Sequence, residues 1–72
     1  MQQRITVYSP HFSVPGAIVA TGLGMVRIAY HSPCGDRTDW FYSLDSGRRP
    51  GERMGEHGEG VTRYSVTRDE AA

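Results

Sequence analysis

The sequence predicts an all-β fold, a single small antiparallel barrel or curled sheet of about four to five short strands. Three observations carry this. Apolar residues alternate with period two in short runs, as Ile5 and Val7 do against Arg4, Thr6 and Tyr8. Nowhere do they recur at helical spacing for more than about one turn. Nine glycines and four prolines in 72 residues also disfavour helix, the first by backbone entropy and the second by a missing N–H.

Taken in order, Arg4 to Tyr8 reads as the first strand. Pro10 and Pro15 then interrupt the chain, because neither donates to a ladder. Ala17-Ile18-Val19-Ala20 is a short apolar run, and Thr21-Gly22-Leu23-Gly24 supplies a hairpin turn with glycine ready for a positive φ. Alternation resumes from Met25 to Tyr30, with Val26, Ile28 and Tyr30 on one side and Arg27 on the other. His31 to Asp36 is dense in turn residues. Asp39 to Leu44 forms the next strand, with Trp40, Tyr42 and Leu44 on the expected core face and Phe41 and Ser43 opposite.

Arg48 to Gly60 has no apolar periodicity and four glycines, and it reads as a long mobile polar loop. Val61 to Thr67 is the last strand, with Tyr64 and Val66 inward, and 68–72 is expected to fray. The whole chain, 1–72, is then one β domain, SH3-like or OB-like in type. That analogy concerns the fold and carries no function.

Eight arginines, no lysine and eight acidic residues give a formal net charge of zero. This excludes the strongly basic footprint of a general nucleic-acid binder and the acidic surface of a DNA mimic. One cysteine excludes an internal disulfide framework and any zinc module built on two or four cysteines. The most apolar stretch, Gly16 to Ala29, is broken by Thr21, Gly22, Gly24 and Arg27 and falls short of the ~20 apolar residues of a membrane span. No leader pattern stands out, so the expectation is a cytoplasmic protein without a membrane partner.

Five readings compete for the remaining residues. His31 and Cys34 have the H-x-x-C spacing of half a zinc site, with His11, Asp36 and His57 as further donors. The matching second pair is missing and Pro33 and Gly35 explain the turn, so no metal or other cofactor is expected. Cys34 with His31 or His57 is a poor nucleophile–base pair, because sequence proximity sets no geometry. Arg48, Arg49, Glu52, Arg53, Glu56, His57 and Glu59 gather the residue types of a small acid–base ribonuclease. Yet a glycine-spaced loop lacks the preorganisation catalysis needs, and the expectation is no enzyme.

A single-stranded nucleic-acid-binding barrel is the stronger alternative. It would stack bases on Tyr8 and Phe41 beside Arg27 and Arg63, with Arg48 and Arg49 on phosphate. The leading reading is a non-enzymatic binding protein that modulates or inhibits a larger protein or nucleoprotein complex by direct contact. An inhibitor of a host system carried by a phage or mobile element is a natural subclass. Trp40, Phe41, Tyr42, Arg48, Arg49 and Arg53 are its expected contacts, since aromatics and arginine dominate interface hot spots. Homodimerisation through the aromatic strand is compatible with each of these readings.

Overall fold

A computed structural model describes residues 2–56 and 60–69, with side chains from 4 to 56 and 60 to 67. Five strands follow one another: β1 (Gln2–Ser9), β2 (Phe12–Gly22), β3 (Met25–Ser32), β4 (Gly35–Tyr42) and β5 (Arg63–Asp69). All pairs are antiparallel in one sheet of order β4-β3-β2-β1-β5. Consecutive strands from β1 to β4 are neighbours, and β5 returns by the long connection to pair with β1, a crossover of the Greek-key type. No helix is present among the described residues, and none is long and apolar enough to cross a membrane.

Tight turns set the register. Leu23 and Gly24 join β2 to β3 with φ of 48° and 77°, the paired positive values of a type I′ hairpin, whose twist matches that of its strands. Pro33 and Cys34 join β3 to β4, and the buried Ser32 hydroxyl donates to the Gly35 carbonyl (2.8 Å) while accepting from the Cys34 amide (3.2 Å). Pro15 does not interrupt the chain as the sequence suggested. It sits inside β2 opposite Thr6, one residue before the β2–β3 ladder opens at Gly16 and Tyr30, so its missing N–H removes nothing from that ladder.

Ile5, Val7, Val26, Ile28, Tyr30, Phe41 and Tyr64 form the core, with Phe12, Val14 and Val66 packed against it. Gly16 is where β2 leaves β1 and carries on with β3 alone. A Cβ there would stand 2.9 Å from Ile28 Cγ2 and 3.0 Å from Val7 Cγ2. The inner face is therefore curled tightly enough that only a residue without a side chain fits at the bend.

The expected faces of the aromatic strand are reversed. Phe41 has no exposed surface and lies at the centre of the core, edge-on to Tyr30 (6.0 Å between ring centroids) and Tyr64 (5.6 Å). Trp40 points out, 37% exposed, and Leu44 beyond the strand is also exposed. The two-residue Pro33-Cys34 turn is the cause. It pairs Ser32 with Gly35 and carries that register to Val26 and Phe41, which puts Phe41 on the buried face of β3.

The sheet does not close on itself, but the gap between its edge strands is spanned by residues 51–54. Phe41 bridges to Arg53 and Glu52 to Arg63. Tyr42 N donates to Glu52 O, Met54 N to Trp40 O, Arg53 N to Thr62 O and Tyr64 N to Gly51 O, all at 2.8–2.9 Å. This corrects the reading of 48–60 as a mobile loop throughout: its middle is held by both edges of the sheet. Gly51 allows the approach, with φ of 82° and no room for a Cβ between Tyr64 O (3.0 Å) and Leu44 Cδ2 (3.1 Å). Arg68 and Asp69, expected to fray, pair with Gln3 and Gln2; the rest of that tail, 70–72, lies outside the described residues.

Candidate functional site

The six residues expected to form one contact surface fall in three places. Trp40 and Tyr42 stand on the outer face of β4. Phe41 is in the core and makes no surface contact, which also removes it from the stacking set of the nucleic-acid reading. Arg48 and Arg49 are exposed in the connection after β4, where Arg49 Nη1 donates to the Glu56 carbonyl (3.3 Å). Arg53, bridged to Phe41, turns inward.

That inward turn builds a polar cluster at one mouth of the curled sheet. Tyr30 Oη donates to Asp39 Oδ2 at 2.7 Å, Arg37 Nε reaches the same oxygen at 3.2 Å and Arg53 Nη1 at 3.5 Å. Arg53 also pairs through Nε with Glu56 Oε1 (3.0 Å), which accepts the Thr62 amide (2.8 Å). Burial pushes the Asp39 carboxyl up, but the bonds from Tyr30 and Arg37 and the two guanidinium charges outweigh it, and its pKa is lowered. The Tyr30 phenol is raised, first by burial and then by its bond to Asp39. Tyr30, Arg37, Arg53 and Glu56, with Phe12, line a cleft of about 330 Å³, and Asp39 ties three of them together from outside its walls. The charges of the cluster are matched within it, and no buried side-chain polar atom lacks a partner among the described residues.

The cluster accounts for much of the expected acid–base set. Glu52 faces Arg63 (3.7 Å), and Arg53 and Glu56 hold each other. His57 and Glu59 lie outside the described residues. His31 is paired with Asp36 at the exposed β3–β4 hairpin and Cys34 is exposed beside it. Among the described residues no three His, Cys, Asp or Glu side chains come together as metal donors.

The outer face of β3 and β4 has a different character. Cross-strand pairing sets Arg27 beside Trp40 and Met25 beside Tyr42. On the far side of β4, Met54 follows Trp40 through its backbone bond. Met25, Thr38, Trp40 and Met54 border a shallow groove of about 450 Å³. The Arg27 guanidinium makes no ion pair or hydrogen bond with a described residue. Met25, Arg27 and Met54 were not among the contacts expected for a protein partner, although Arg27 was expected beside stacked bases in the nucleic-acid reading. The first two follow from a Ser32–Gly35 register, whereas nothing periodic marks Met54.

No family model, curated protein or solved structure matches this chain.

Proposed function

We propose that the chain is a non-enzymatic binding module that modulates or inhibits a larger protein by seating the outer face of β3–β4 on it. The carrying observation is Trp40, exposed between Met25 and Met54 with Arg27 at its side. Tryptophan and arginine are the residues most enriched among interface hot spots. Methionine adapts its shape to a facing surface. Tyr42 extends the patch, and Arg48 and Arg49 supply exposed charge on the following connection.

Charge pairing favours a protein partner over a single nucleic-acid strand. Arg37, Arg53 and Arg63 face carboxylates of the chain itself, and with a formal net charge of zero the remaining arginines give a polyanion little long-range attraction. Trp40 is the sole tryptophan, so its fluorescence reports burial of this face directly. The test is retrieval of partners from lysate of the natural host, with and without nuclease, by the wild-type chain and by Trp40→Ala/Arg27→Ala. A stoichiometric protein that survives nuclease, shifts Trp40 emission to the blue and is lost in the double variant is the expected result. Complete loss on nuclease treatment moves the reading to nucleic acid, and a partner indifferent to the double variant overturns the assigned face.

A further inference from the structure

The second half of β2 is an open strand edge. β1 pairs with β2 only as far as Ile5 and Gly16, and from Ala17 to Gly22 β2 is laddered on β3 alone. No described residue pairs with the opposite backbone edge of this segment. An unpaired edge is a template for another strand, and proteins usually blunt it with charge or proline. Here it does neither. From Phe12 to Val26 the sequence has no acidic or basic residue, and Ile18 and Val19 are 41% and 56% exposed. The bulge between Ile18 and Ala20 is its one blunting feature.

At the end of this edge stands Leu23, 98% exposed with φ of 48°. The Cβ of leucine makes the left-handed region unfavourable, and at this tip the side chain contacts no core. At the other end, where β2 leaves β1, a groove of about 460 Å³ has Thr6, Ser13, Pro15 and Gly16 among its walls. Val19 lies midway in the chain between Pro15 and Leu23. A twofold axis at Val19 pairs residues 17–21 of the two copies and carries each Leu23 past the other's open edge, onto the groove that β1 and β2 share at Thr6 and Pro15. A twofold contact needs just this reciprocity, with each residue meeting its opposite number's site.

We infer that two copies of the chain associate through antiparallel pairing of their β2 edges about Val19, each Leu23 seated in the other's Pro15 groove. The occupant is a second copy because knob and groove exchange under that axis. In addition, the uncharged segment sets no like charges against each other. The chain's zero net charge adds no long-range repulsion. Thr21 and Leu23 share a surface depression with Met25 and Tyr42, but the paired edge leaves out Trp40, so substitutions at Val19 and at Trp40 tell the two assignments apart.

Sedimentation equilibrium of the full chain at about 0.1 mM, well above the dissociation constant of a specific dimer, is expected to give twice its 8.0 kDa mass. Val19→Lys, at an exposed edge position, should raise the dimer dissociation constant at least about tenfold, since charge opposes charge across the axis. Leu23→Asn should weaken the dimer while leaving the turn intact, because asparagine accepts a positive φ. Amide exchange from Ala17 to Gly22 should slow as concentration rises. A monomeric wild type overturns the inference, and so does a dimer that survives Val19→Lys or dissociates in Trp40→Lys.

Discussion

The phenol of Tyr30 on β3 donates to the carboxylate of Asp39 on β4, two residues diagonal across the ladder, at 2.7 Å. The bond lets β4 turn Arg37 and Asp39 toward the same face as Phe41. Without partners, those charged residues would argue against burying that face. Tyr30, Arg37 and Arg53 together satisfy the Asp39 carboxylate, so the strand can point its phenylalanine in and its tryptophan out.

Asp39→Asn should destabilise the fold at neutral pH by about 1–3 kcal/mol, the range for losing hydrogen bonds to a charged group. The sign with pH follows from the lowered folded-state pKa of Asp39. Its contribution is present above the unfolded value of about 3.9 and is lost as pH falls through the folded one. Urea denaturation of both proteins should show a gap at pH 7 that narrows toward pH 3. A gap independent of pH would assign the loss to shape instead of charge.

Alkaline behaviour carries the opposite sign. Burial raises the phenols of Tyr30 and Tyr64, aided at Tyr30 by the bond to Asp39. Each then adds stability below the unfolded tyrosine value of about 10 and loses it as pH rises through the folded value. The phenolate absorbance of the native chain should include a component that titrates late and coincides with unfolding. Tyr30→Phe and Tyr64→Phe should each diminish that component.

Adjacent residues on β4 should separate stability from binding. Phe41→Ala removes a fully buried ring flanked by Tyr30 and Tyr64 and should cost about 3–5 kcal/mol, much of the stability of so small a domain. Trp40→Ala, on the exposed face, should change the denaturation midpoint little and instead weaken partner binding by about 2 kcal/mol or more. Reversed results would return the strand to the register in which Trp40 faces the core.

The residues that were hard to place in the sequence are those whose position depends on distant partners. Ile5, Val7 and Tyr64 alternate with polar neighbours, and Val26 and Ile28 flank Arg27, so the local period alone assigns their face. The strand 39–44 offers aromatic residues to both sides, and its face is decided by a two-residue turn at Pro33-Cys34 rather than by its own pattern. Gly51 to Met54 has no periodicity because its backbone, not its side chains, joins β4 to β5. Of the outer face, Trp40 and Tyr42 are recognisable as contact types in the sequence. Met25 and Arg27 become neighbours of these two only once the β3–β4 ladder is counted.

Gly16→Ala tests the curl that holds both surfaces in place. The new methyl would meet Ile28 Cγ2 at 2.9 Å and Val7 Cγ2 at 3.0 Å, and both of those side chains are fully buried. Neither is the free end of a flexible chain, so the strain falls on the sheet, and overpacking of this kind costs about 1–3 kcal/mol. Gly22→Ala serves as the control, since nothing lies within 4 Å of the added methyl and its φ is not in the left-handed region. Thermal denaturation should place Gly22→Ala near wild type and Gly16→Ala well below it. The double variant Gly16→Ala/Ile28→Leu should recover part of the loss, because leucine is unbranched at Cβ and lacks the Cγ2 methyl that the new Cβ would meet. Equal midpoints for the two single variants would mean that β2 bends elsewhere and that the close approach at Gly16 does not hold the fold.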